Sequence, residues 1–250
     1  MKGAVILNAF VATALAAPSQ HDRSLLKRAD RDTSIFWAGG VVQGENITAV
    51  TGTFPVIRSK LPSVSKPGKH VYSATAWVGI GGYTKVCTDS GLWQAGVITQ
   101  HHALTGEVSH QAWYELYPDP PVFLDIGNIT DGDIIKVSLE VLSSTEASVD
   151  LQNQSTGKGF SQRTNITHRL CQKTAEWIVE RSYTLSGQVG LIDFGTETID
   201  NIAYTALGEV HTTVPDDVTL VDIVNDQANN TIQTHTESRE SSIQVTFLGS

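Results

Sequence analysis

The feature that most constrains this chain is an apolar alternation of period two that recurs along almost its whole length. Ile134–Leu142 shows it cleanly: Ile135, Val137, Leu139 and Val141 fall on one side, Lys136, Ser138 and Glu140 on the other. Successive strand side chains point to opposite faces, so this spacing predicts a half-buried β-strand rather than a helix. Similar runs cover Ile47–Val56, Val71–Ile80, Leu92–Thr99, Gln111–Tyr117, Ala147–Leu151, Ala175–Glu180, Val189–Phe194, Val218–Val224 and Ile243–Leu248. Turn signals such as Lys66-Pro67-Gly68 and Asp131-Gly132-Asp133 separate them. Many short punctuated strands, with no helical run longer than two turns, predict a single all-β domain, an antiparallel sandwich or barrel. A chain of 250 residues is long enough to bury a full core in one such domain.

The first 28 residues read as address rather than structure. Met1-Lys2 opens a short apolar segment, Ala4 to Ala17, and Ala14-Leu15-Ala16 supplies a small-x-small cleavage pattern, so residues 1–16 are expected to be a signal peptide. A polar stretch follows, closing on Lys27-Arg28, and residues 17–28 read as a short propeptide removed at that dibasic site. The mature domain then spans 29–250. Five sequons, at Asn46, Asn128, Asn153, Asn165 and Asn229, agree with secretion and glycosylation. Cys87 and Cys171, the only two cysteines, fit an oxidising compartment as one disulfide. Closing that loop contributes on the order of 4 kcal/mol in the chain-entropy view.

Charge excludes some partners. With 26 acidic against 17 basic residues the net charge is −9, and loss of residues 1–28 makes it −12. No basic stripe exists to displace counterions from a phosphate backbone, so nucleic acid is not an expected partner. The leader's apolar run is also too short to span a bilayer. Several chemistries lack their residues as well. There is no G-x-S-x-G elbow, no H-E-x-x-H, and no cysteine cluster for a metal. His101-His102 would point to opposite faces of a strand, and the histidines read as solvated. Asp89-Ser90-Gly91 resembles half of an aspartic dyad, but no second triplet accompanies it.

Polar residues on apolar strands are the remaining candidates, because a buried carboxyl must be solvated, paired or functional. Leu92-Trp93-Gln94-Ala95-Gly96 places Gln94 on an otherwise apolar strand. Ala175–Glu180 aligns Glu176, Ile178 and Glu180 on one face, and Gln111–Tyr117 aligns Gln111, Trp113, Glu115 and Tyr117. With Trp37-Ala38-Gly39-Gly40, Ala76-Trp77-Val78-Gly79-Ile80 and Ile129-Thr130-Asp131-Gly132-Asp133, these segments form an ordered set from Trp37 to the C-terminus. That set resembles the glutamic peptidase (eqolisin) family. The resemblance implies a sandwich of two large antiparallel sheets, concanavalin A-like or jelly-roll in type, and a Cys87–Cys171 bridge. It implies acid endopeptidase activity on protein or peptide substrates, with no metal or cofactor, in a secreted chain expected to be monomeric and free of membrane partners. Gln94 and Glu176 match the family's catalytic pair. Trp37 and Trp77 match cleft-lining tryptophans, Glu115 an acidic residue nearby, and Trp113 joins them as a substrate-binding candidate.

Three positions depart from the pattern. Gly81, Ile98 and Gln111 stand where the family usually has aspartates, which thins the carboxyl network around the pair. Three other readings remain open at this stage: an inactive relative, a retaining glycosidase using Glu115 and Glu176 about 5 Å apart, and a lectin-like module with Trp37, Trp77 and Trp113 as its platform.

Overall fold

The computed structural model describes residues 29–63, 70–88, 90–184 and 187–249. The leader and propeptide readings, the turn at 66–68 and Asp89 lie outside them. Alternating apolar residues produce strands β1 (Asp30–Ser34), β2 (Trp37–Gln43), β3 (Ile47–Pro55), β4 (Val71–Ile80), β5 (Leu92–His102), β6 (Val108–Tyr117), β7 (Val122–Leu124), β8 (Ile134–Val141), β9 (Glu146–Asn153), β10 (Lys158–Asn165) and β11 (Thr174–Glu180). Four longer strands follow, Thr196–Ala206, Thr219–Asn225, Thr234–Arg239 and Ser242–Phe247. Among the described residues the helical content is one 3₁₀ turn, Asp226–Ala228.

Two sheets pack face to face. The first runs β1, Thr219–Asn225, β2, β11, β4, β5, β6, β7; the second runs β10, β9, β8, β3, Thr196–Ala206, Ser242–Phe247, Thr234–Arg239. The fold is the expected two-sheet sandwich, with one refinement. Pairing is not wholly antiparallel, since β1 lies parallel to Thr219–Asn225 and the short Gly190–Leu191 strand parallel to β4.

The core sits between the sheets. Trp93, Ala95 and Val97 of β5 and Ala175, Trp177 and Val179 of β11 meet Phe54, Leu139, Leu151 and Ile199 of the opposite layer. Buried indoles need partners for their N–H groups. Trp177 Nε1 donates across the sandwich to Thr51 O at 2.8 Å, and Trp93 Nε1 to Ser148 O at 3.3 Å. With those side chains committed inward, period two forces Gln94, Glu176 and Glu180 onto the outer face of the first sheet. Cys87 and Cys171 are bonded, tying the β4–β5 connection to the segment that leads into β11.

Asn46, Asn128, Asn165 and Asn229 are exposed. Asn153 is not. Its side chain is fully buried, its Nδ2 donates to Asp133 Oδ2 at 2.8 Å, and its Oδ1 accepts from the Ser155 and Thr156 amides. A glycan cannot be attached to a nitrogen so enclosed, and the expectation at Asn153 is corrected on that ground. One histidine also differs from expectation: His110 is packed on β6, hydrogen-bonded to Thr99 and paired with Asp131 at 3.0 Å, whereas His70, His102 and His235 are exposed.

Candidate active site

Strand register builds the site. On the outer face Glu176 of β11 pairs with Gly79 of β4, Gly79 pairs with Gln94 of β5, and Gln94 pairs with Glu115 of β6. Neighbouring strands lie about 4.8 Å apart, so one transverse row carries a carboxyl, a gap, an amide and a second carboxyl. Gly79 is the gap. A Cβ there would come within 2.8 Å of the Trp77 ring and 3.0 Å of Leu92. Gln94 Nε2 donates to Glu115 Oε2 at 2.5 Å.

The next row on the same face is Ile178, Trp77, Gly96 and Trp113. Trp77 leans over Gly96, where an added Cβ would sit 2.6 Å from the Trp77 Cβ. Trp77 also meets Trp37 edge-on, with ring centroids 5.0 Å apart, and its Nε1 donates to Glu180 Oε2 at 2.7 Å. A cleft of about 860 Å³ opens over this face, its wall including Trp37, Tyr83, Leu92, Gln94, Glu115 and Glu180.

The sequence candidates therefore divide. Gln94, Glu115 and Trp37 reach the cleft wall. Glu176 and Trp77 are fully buried, and Trp113 is nearly so. The two tryptophans pack on that face in the row beside the polar one. Neither carboxyl oxygen of Glu176 has a hydrogen-bond partner of good geometry, nor does Gln94 Oε1. Glu180 and Tyr83 are among the cleft residues that carried no assignment from sequence. The period-two pattern had already put Glu180 beside Glu176, whereas Tyr83 sits in a connection that no alternation could read.

The three departures have local reasons. Gly81 has φ +81°, a conformation that an aspartate would occupy at a cost. Ile98 packs against the Trp77 cluster. Gln111 Nε2 donates to Leu124 O at 2.9 Å, holding the edge strand β7.

Burial decides the protonation of this face. It pushes Glu176 well above the ordinary carboxyl value, and the Thr174 hydroxyl and Tyr83 backbone oppose it without prevailing. Glu180 is raised to about 7, by burial first; the Trp77 and Trp37 indoles pull the other way and the Glu115 charge adds to the rise. Burial also lifts Glu115 against the hydrogen bond from Gln94. On the second sheet, burial and the Asp200 charge raise Glu197.

These shifts share one sign. A carboxyl whose pKa is raised by folding favours the native state below its unfolded pKa and loses that advantage as pH rises through the folded value. Stability should therefore fall between about pH 4 and 8, with Glu180 alone contributing up to about 3 kcal/mol. Thermal melts at constant ionic strength check this. A melting temperature that climbs from pH 4 to 7 would contradict it.

Fold and site together define a hydrolase of the glutamic-peptidase type, built on a two-sheet β-sandwich. Residues 35–247 match the Peptidase A4 family, and the chain belongs to that family. It is similar to Aspergillopepsin-2 of Aspergillus niger, at 34% identity over 251 residues, covering 91% of this chain and 83% of the relative. Scytalidopepsin B of Scytalidium lignicola is 32% identical over 148 residues, 58% of this chain and 50% of its own. Among solved structures, aspergilloglutamic peptidase from Aspergillus niger superposes with a TM-score of 0.63 at 34% identity, over 71% of this chain and 99% of that one. Scytalido-glutamic peptidase with a transition-state analogue inhibitor gives 0.71 over 86% and 99%; at 24% identity that likeness speaks for the fold.

Proposed function

We propose that the mature chain is a secreted acid endopeptidase in which Glu176 activates water and Gln94 stabilises the oxyanion. The observation that carries this reading is the transverse row, which sets Glu176 and Gln94 on either side of side-chain-free Gly79 along the cleft face. As a carboxylate, Glu176 takes a proton from water as it attacks the scissile carbonyl, then returns that proton to the leaving amine. The Gln94 amide has two N–H donors. One is held by Glu115, which fixes the amide's orientation, and the other is free for the charge that develops on the carbonyl oxygen. Protein or peptide chains are the substrates, and the cleft beside Trp37 and Glu180 receives their side chains.

The competing readings meet specific obstacles. Glu115 and Glu176 are three strand spacings apart, roughly 14 Å at the backbone, with Gln94 between them, which does not suit a retaining carboxyl pair. Trp77 and Trp113 are buried, so no exposed tryptophan platform forms. Secretion as a monomer after removal of 1–16 and 17–28 is part of the proposal. It is supported by the sequence leader, the disulfide and the four exposed sequons.

The test is digestion of a denatured protein by the mature chain between about pH 2 and 6, the range in which a carboxyl base can work, with fragments read by mass spectrometry. Cleavage is expected in that range. A chain that cuts no peptide bond anywhere in it is not a peptidase of this kind.

A further inference from the structure

Glu176 is the one member of the proposed pair that the cleft does not reach. The connection between β4 and β5 covers it. Tyr83 packs on the outer face with Val41, Trp77, Leu92 and Ile178, and its backbone lies against the Glu176 carboxyl. Both Val86 N and Cys87 N donate to Tyr83 O, at 2.9 and 2.8 Å, which folds Tyr83–Cys87 into a compact turn. At one end of this turn are Gly81 and Gly82, with φ +81° and +99°; at the other is the Cys87–Cys171 bridge. Glycines at positive φ tolerate rotation that other residues resist, while a disulfide fixes its end. The turn is therefore hinged on one side and anchored on the other.

Its tip is tied to a single side chain. Tyr83 Oη donates to Asp32 Oδ2 at 2.5 Å, and Lys85 Nζ donates to Asp32 Oδ1 at 2.5 Å. Asp32 belongs to β1, at the edge of the sheet and far from the turn in sequence. Each of its oxygens thus holds one residue of the turn.

We propose that Asp32 is a latch that keeps the Tyr83–Cys87 turn closed over Glu176, and that protonation of Asp32 in acid releases the turn and admits water and substrate. This rests on the reading of Glu176 as the catalytic base. The charged and titratable groups around Asp32 are few. Lys85 and the Tyr83 hydroxyl face it from the turn, and the Asp30 charge acts on Tyr83 from two residues earlier on β1. Arg31 turns away to Asp222 of the neighbouring strand, at 2.9 Å.

Burial alone would raise Asp32, but hydrogen bonds from Lys85, Tyr83 and the Thr33 amide, with the Lys85 charge, outweigh it and hold the carboxyl below its ordinary value. The sign follows. The latch is engaged at neutral and mildly acidic pH and is lost as pH falls through that lowered value. Opening has a second effect, because water reaching Glu176 removes the burial that keeps it protonated. The same event uncovers Glu176 and lets it ionise, so that a carboxylate is present to act as the base in acid. In a neutral medium the chain restrains itself.

Asp32→Asn keeps the shape of the latch and deletes its charge, and Lys85→Met breaks the same ion pair from the exposed side. In both variants of the mature chain, hydrogen exchange of the turn at pH 6, corrected for intrinsic rates, should be roughly tenfold faster than in wild type, matching wild type at pH 2.5. Cleavage of a peptide substrate at pH 5–6 should rise by about the same factor, with the rate at pH 2.5 unchanged. Asp32→Glu should restore slow exchange at pH 6. If exchange and the pH–rate profile of both charge-deleting variants follow wild type, Asp32 is a structural tie and the latch is wrong, even where the melting temperature drops. If wild type cleaves nothing at any pH, the Glu176 reading fails while the exchange measurements still decide whether the turn opens with Asp32.

Discussion

Glu176→Gln should lower kcat by about 10⁴-fold, because one side chain supplies both the base and the acid of the reaction. The substitution keeps volume and shape at a position with no solvent exposure. In the closed molecule burial favours the neutral form of Glu176, so an amide there is electrostatically close to that form. The fold should survive and KM should change little, since the loss falls on the chemical step alone. Steady-state kinetics with a defined peptide, together with melts of both proteins at pH 4, separate lost chemistry from lost structure. A Glu176→Gln chain that is folded and still cleaves at the wild-type rate would remove Glu176 from the mechanism.

Gln94→Ala should cost about 10²- to 10³-fold in kcat, the usual loss for one oxyanion donor. Part of the effect is indirect. The Gln94 amide is the group that opposes the burial of Glu115, so its removal leaves Glu115 Oε2 without its donor and lifts that carboxyl further. The pH–rate profile should shift as well as fall. Because Gln94 and Glu115 act through one hydrogen bond, Gln94→Ala and Glu115→Ala should combine less than additively. Full additivity would mean that Glu115 does not orient the amide.

The strands most visible from sequence were those with one apolar and one polar face, β8 above all. Of the strands that escaped the alternation, three did so for identifiable physical reasons. Strand β2, Trp-Ala-Gly-Gly-Val-Val-Gln, is buried on both sides through most of its length; β10 is an edge strand largely open to solvent. Thr196–Ala206 is interrupted by Asn201, with φ +50° and a register shift between Asp200 and Ala203. Conversely, Val189–Phe194 looked like a strand but pairs only at Gly190–Leu191. Beyond it Asp193 bridges to Lys60, and its carboxyl caps the Gly195 amide.

Period two put Gln94, Glu176 and Glu180 on known faces but could not align them. Alignment is a matter of register between strands, and no local pattern encodes which residue of β4 will lie between β5 and β11. The Asp32–Tyr83–Lys85 cluster joins a strand to a connection and left no periodic trace. The sequon at Asn153 shows the opposite failure, a local pattern that is present and a burial that overrides it.

The place of β11 in the first sheet bears on when this molecule can act. It lies between β2 and β4, both of which end more than ninety residues before it begins, and it delivers Glu176. No contiguous stretch of the chain holds the reacting groups. A nascent polypeptide that stops short of Glu176 has Gln94 and Glu115 but lacks the proposed base, and has an open slot at the centre of its sheet. On the proposed reading, hydrolytic competence should wait until the eleventh strand fills that slot.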